Sequence, residues 1–226
     1  MSESGSSPKY ALALLACASL IACSDGEPTP SAAPPAAPAP TASTTPTPAV
    51  DSTQAEPREA APWVPLLGAD LGSWKTLGDA NWRLEDGVVQ ADGGRGFLVS
   101  ELAYTDFELR IEFWASADAN SGVFVRCTDR AEVTPANAYE VNIFDQRPDQ
   151  TYRTGGIVDV APPAAVISTA DQWNRYEIRA QGNRLRVVLN GAVLVDTQDE
   201  RFASGPIALQ YGAGLIRFRN AQIRAL

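Results

Sequence analysis

Gly122-Val-Phe-Val-Arg-Cys-Thr128 and Tyr139-Glu-Val-Asn-Ile-Phe-Asp145 decide how this chain is read. Both are short runs of β-branched and aromatic residues, the composition of strands. Side chains alternate across a strand, so Phe124 and Arg126 are expected on one face, with Val123 and Val125 on the other. By the same rule Glu140, Asn142 and Phe144 lie together, opposite Tyr139, Val141 and Ile143. A guanidinium, a carboxylate and a carboxamide beside aromatic rings suit a polyhydroxylated ligand. The plainer alternative is a solvated outer face with a surface ion pair.

The same period continues outward from this pair. Asp106 to Trp114 alternates cleanly, with Phe107, Leu109, Ile111 and Phe113 inward and Glu108, Arg110, Glu112 and Trp114 on the other face. Tyr176–Ala180 and Arg184–Leu189 flank Gln181-Gly182-Asn183, and Asn190-Gly191 then marks a tight hairpin into Val193–Val195. Ile207–Tyr211 and Leu215–Arg219 follow. From Trp82 on, the pattern gives about eleven strands and no helix beyond a turn or two. Parallel sheets need long crossovers, which are missing, so the sheets must be antiparallel. An all-β antiparallel sandwich of jelly-roll type follows. Arg147 to Gln172 reads as a long loop with one strand near Ile157, and loops of that length are usually functional.

The N-terminal quarter has another character. Lys9 precedes an apolar run, Tyr10–Ala22, too short to span a bilayer and suited to a secretory signal. It ends in Leu20-Ile21-Ala22-Cys23, similar to the lipobox of bacterial lipoproteins, which implies cleavage after residue 22 and lipidation of Cys23. Residues 24–62 hold 10 of the 17 prolines, with Ala, Ser and Thr filling most of the rest. Such a segment cannot bury enough apolar surface to fold. The expected organisation is a signal over 1–22, a lipidated cysteine and spacer over 23–62, and one globular domain over 63–226. With Ser24 rather than Asp after the cysteine, a bacterial outer membrane is the expected destination, the domain held near the membrane by its lipid.

Composition removes several chemistries. Cys127 is the one cysteine left in the domain, without a disulfide partner, and is expected as a small buried hydrophobe. The chain has no histidine, which excludes serine–histidine triads and argues against zinc. Residues 63–226 carry 16 Lys and Arg against 21 Asp and Glu, a net charge of −5. That lacks the electrostatic footprint of a nucleic-acid binder.

Several blocks occur in order: Trp82 with Glu85-Asp86-Gly87, Tyr104-Thr-Asp-Phe-Glu-Leu109, Asn120-Ser-Gly-Val-Phe-Val-Arg126, Tyr139–Asp145, Trp173-Asn174, Gly205-Pro-Ile-Ala-Leu-Gln210 and Phe218-Arg-Asn220. Together they resemble the 3-keto-disaccharide hydrolase family, which has a concanavalin-like fold. The resemblance implies action on sugars oxidised at carbon 3. The ketone acidifies the carbon 2 proton, and the resulting enolate expels the glycosidic oxygen from carbon 1. Such chemistry needs a base, an enolate stabiliser and an acid, and a sugar 3-oxidoreductase upstream to make the ketone. A divalent metal is the cofactor the resemblance allows.

Carried over by position, Glu140 is implied as base or metal ligand and Arg126 as enolate or sugar-oxygen stabiliser, with Asp145 and Glu112 as further carboxylates. Asn120, Asn142 and Gln210 are implied as hydroxyl contacts and Trp114 as a stacking platform. Many relatives have Gln at the position of Asn142. Many also carry His after the Leu-Gln pair, where this chain has Tyr211-Gly212-Ala213, which makes Tyr211 the substitute candidate. A non-catalytic carbohydrate-binding module on a tether is the alternative from another class. A laminarinase-like hydrolase would need a middle acid where Asn142 stands.

Overall fold

The structure, a computed structural model, describes residues 61–226. The expected signal, Cys23 and nearly all of the spacer lie outside the described residues. Thirteen strands are present: β1 (Val64–Pro65), β2 (Trp74–Gly78), β3 (Arg83–Glu85), β4 (Val88–Ala91), β5 (Gly96–Tyr104), β6 (Phe107–Ala115) and β7 (Asn120–Val125) come first. Then follow β8 (Tyr139–Ile143), β9 (Trp173–Gln181), β10 (Arg184–Leu189), β11 (Ala192–Gln198), β12 (Gly205–Ala213) and β13 (Ile216–Ala225). Among the described residues the one helical element is a 3-10 turn, Gln150–Tyr152. The sequence reading missed β1 and β2, which precede Trp82.

The strands form two antiparallel sheets. The larger runs β11-β10-β9-β6-β13-β4-β3, with β1 added alongside β13, and the smaller runs β2-β5-β12-β7-β8. This is the jelly-roll sandwich expected. Between the sheets lie Phe107, Leu109, Ile111 and Phe113 of β6, packed in one cluster with Val123, Val125, Tyr139, Val141, Ile143, Leu209 and Tyr211 from the smaller sheet. The inward half of each alternation is therefore as read. Asn190 and Gly191 both take positive φ, 50° and 86°, the geometry a two-residue turn needs to match strand twist.

The long loop after β8 is built onto the sheet. Val158 N–H donates to Glu140 O, Asn142 N–H to Gly156 O, and Gly155 N–H to Asn142 O, each at 3.0 Å. The segment around Ile157 thus supplies a partial extra strand and covers the open edge of β8, whose backbone groups would otherwise be unpaired.

Candidate functional site

The outer face of the smaller sheet carries the candidate site. Antiparallel register sets its side chains in rows. Phe97, Gln210, Gly122 and Asn142 form one row across β5, β12, β7 and β8, and Val99, Ala208, Phe124 and Glu140 form the next. Val99, Phe124 and Ala208 pack with Cys127, Val133 and Ala138 in an apolar cluster separate from the main core. Glu140 therefore emerges beside apolar neighbours.

Its carboxyl bends back over β7. A Cβ placed on Gly122 would lie 3.2 Å from both Glu140 Cγ and Oε1, so the glycine leaves room for the carboxyl. Glu140 is 7% exposed. Burial pushes its pKa up to about 7; Arg147 lowers it in part and Asp159 adds to the rise. Desolvation disfavours the charged form, and no hydrogen bond offsets it.

Two amide oxygens on this face are unpartnered. Asn142 Nδ2 donates to Tyr152 O at 2.5 Å, while Asn142 Oδ1 and Gln210 Oε1 are buried with no partner. They flank Gly122 in register. Buried polar atoms are normally paired, so these oxygens are free to accept from a hydroxyl. Gln210 also lines a hollow of about 300 Å³, together with Arg95, Phe97, Asp118, Asn120, Phe144 and Tyr211. Glu140, Asn142 and Gly122 do not line the hollow. Arg95 is exposed, and among the described residues its guanidinium makes no ion pair or hydrogen bond.

Sequence reasoning missed Arg95. The available signal was Gly93-Gly94-Arg95-Gly96, an arginine set among glycines. Gly94 takes φ 76°, and a Cβ there would meet Asp79 O at 2.2 Å, so the turn requires glycine.

The expected convergence of Arg126, Glu140 and a second acid does not occur. Arg126 follows the end of β7 and takes φ 56°, which breaks the alternation and turns its side chain away from the face shared by Phe124 and Glu140. It is 1% exposed. Its guanidinium donates to Thr105 O, Gly182 O, Phe202 O and Asp106 Oδ1 through five hydrogen bonds. An arginine has five N–H donors, so none remains for a ligand. Glu112 and Trp114 face outward from the larger sheet, on the opposite side of the sandwich. Glu112 accepts from Arg219 Nε at 2.7 Å and Asn220 Nδ2 at 3.2 Å. Asp145 accepts from Thr169 N at 2.7 Å and Oγ1 at 3.0 Å, which pins the long loop to the end of β8. Tyr211 points into the core and donates its hydroxyl to Gly214 O at 2.9 Å. Glu140, Asn142, Gln210 and Asn120 are the expected site residues that share one face.

These residues do not form a metal centre. No group of three or more His, Cys, Asp or Glu with ligand geometry exists among the described residues. Glu140 in apolar surroundings, Asp118 in the lining of the hollow and neutral amide oxygens are a poor set for a hard divalent cation.

Comparison with known proteins agrees with this architecture. A solved structure from Parabacteroides distasonis ATCC 8503, described as a presumed glycosyl hydrolase, is 26% identical with a TM-score of 0.62, over 73% of this chain and 100% of that chain. A second so described from the same strain is 19% identical with a TM-score of 0.64, over 73% and 94%. Carbohydrate-binding module CBM66 from Bacillus subtilis is 17% identical with a TM-score of 0.55, over 68% and 96%. The latter two show the fold alone. No curated protein matches the chain. The model of the 3-keto-alpha-glucoside-1,2-lyase-like domain matches residues 62–224. The chain belongs to the 3-keto-alpha-glucoside-1,2-lyase-like domain family.

Proposed function

We propose that the domain cleaves the glycosidic bond of 3-keto-glycosides by elimination followed by hydration, with Glu140 as the base. The observation that carries this reading is the Glu140 carboxyl, raised to about 7 and laid over Gly122, whose register partners Asn142 and Gln210 carry unpartnered amide oxygens. A base is most effective when its pKa lies near the working pH. Glu140 takes the carbon 2 proton, and the C–H electrons form the carbon 2–carbon 3 double bond of an enolate; its collapse restores the carbon 3 ketone and forms the carbon 1–carbon 2 double bond as the bond from carbon 1 to the glycosidic oxygen breaks. The same carboxyl returns the proton to the departing oxygen. Water then adds across the double bond to give the free 3-keto-sugar. Arg95 stabilises the enolate oxygen, while Asn142, Gln210 and Asn120 hold sugar hydroxyls. This route does not need the facing carboxylate pair of ordinary glycoside hydrolysis.

The test is incubation of the full chain with 3-keto-trehalose or a 3-keto-glucoside, with and without a chelator, beside Glu140→Gln. Release of free sugar by the parent and not by the variant is expected. Unchanged substrate under both metal conditions refutes the reading.

One observation favours a second reading, binding without cleavage. The site holds a single buried carboxyl, and Arg126 and Tyr211 are committed elsewhere. Tight sugar binding that survives Glu140→Gln, with no turnover by the parent, would establish it. From sequence alone we also propose that lipidation at Cys23 anchors the chain to a bacterial envelope membrane, and that a sugar 3-oxidoreductase supplies the ketone. Labelled fatty acid retained by the parent and absent from Cys23→Ser tests the anchor.

A further inference from the structure

The opposite face of the sandwich is chemically distinct. On β9, β6 and β13, the central strands of the larger sheet, six arginines point outward against three glutamates. The domain as a whole is acidic, so this is a local reversal of sign. Carboxylates are shared between guanidinium groups. Glu108 pairs with Arg179 at 2.8 Å and Arg224 at 2.5 Å, and Glu177 with Arg110 and Arg175 at 3.6 Å. On the neighbouring strands Asp196 pairs with Arg184 at 2.7 Å and Arg186 at 3.9 Å. Each trio keeps one positive charge. Arg110 Nε is buried without a hydrogen bond, and Arg217 has only the neutral Gln90 as partner, at 3.1 Å.

Tryptophans are laid among these charges. Arg219 stacks over Trp173 at 3.8 Å, Arg217 over Trp114 at 4.9 Å, and Trp63 is flanked by Arg110 at 4.2 Å and Arg224 at 4.7 Å. Trp114 and Trp173 are direct cross-strand partners. Hollows of about 130, 310 and 190 Å³ cross the face, and arginines line all three.

We propose that this face is a second binding surface, for a linear polysaccharide carrying carboxylates. Planar guanidinium forks match carboxylate geometry, and the indole rings stacked against Arg110, Arg217, Arg219 and Arg224 hold those forks in place. Strands lie about 4.8 Å apart, near the length of one sugar residue, so successive acidic sugars meet successive strands. An anionic bilayer fits less well. The tryptophans are half-buried and stacked against guanidinium groups, which leaves no apolar wedge to enter lipid. The surface works independently of Glu140 and would hold the domain on acidic glycan while the other face takes a smaller sugar.

The experiment measures binding of the full chain to polygalacturonate, neutral dextran and phosphatidylglycerol vesicles. Binding to polygalacturonate alone is expected, weakening about tenfold between 50 and 200 mM salt as neutralised carboxylates regain counterions. Arg186→Glu with Arg217→Glu should weaken it about tenfold or more, while Glu140→Gln leaves it intact. The salt series uses unaltered protein, so the outcome stands even if the double variant folds poorly. No binding to polygalacturonate at 50 mM salt, equal binding to dextran, or preference for the vesicles would each overturn the proposal.

Discussion

Replacing Glu140 by Gln should make the protein more stable at pH 8 and leave it unchanged at pH 4. Burial raises this carboxyl from 4.5 to about 7, so the folded state binds its proton more tightly than the unfolded chain. The resulting stability is fully present below pH 4.5 and is lost as pH rises toward 7. At about 1.36 kcal/mol per pH unit, the ionised carboxyl costs the fold roughly 3 kcal/mol at pH 8. Glutamine has nearly the same shape and never ionises, so the variant escapes that cost. Every other titrating group is common to both proteins, and the difference between them isolates Glu140. Urea unfolding of both proteins from pH 4 to pH 8 measures it. The gap should open between pH 4.5 and 7 and reach about 3 kcal/mol in favour of Gln. A gap that stays flat with pH, or a parent more stable at pH 8, would refute the account of this carboxyl.

Arg126→Met should cost about 3–5 kcal/mol in unfolding experiments, because three carbonyls and Asp106 lose their buried donor; a loss under 1 kcal/mol would contradict its placement as a hub. Gly122→Ala puts a Cβ 3.2 Å from Glu140 Oε1 and should lower turnover of a 3-keto-glucoside about 100-fold by displacing the base, a result checked by steady-state kinetics. Arg95→Ala should lower kcat about 100-fold with stability within about 0.5 kcal/mol of the parent, since its guanidinium has no partner in the fold; unchanged kcat would remove it from the site.

Alternation made most of the fold legible. In β6, Phe107, Leu109, Ile111 and Phe113 went inward as the period demands, and Asn190-Gly191 turned where its dihedral preferences require. Period two assigns a residue to a face of its strand, but not its strand to a sheet. Glu112 and Glu140 both point outward, yet β6 belongs to the larger sheet and β8 to the smaller, so the two acids face opposite sides. Arg126 was misplaced for a local reason, a left-handed φ of 56° just past the strand end, which a run of apolar neighbours does not announce. The role of Asp145 depends on Thr169, 24 residues away through an irregular loop, a pairing without periodicity to reveal it. Arg95 lay in a glycine turn, where no alternation exists to aim a side chain. Of the expected site residues, Asn120, Glu140, Asn142 and Gln210 lie on one face as read, because all four are held in regular strand.

The most direct measurement of the central claim follows release of free 3-keto-sugar from a 3-keto-glucoside by the parent and by Glu140→Gln across pH 5 to 9. Parent kcat/KM should rise through about pH 7 as Glu140 ionises, and the variant should show no turnover at any pH. A variant as active as the parent, or a parent whose rate is independent of pH through that range, would contradict it.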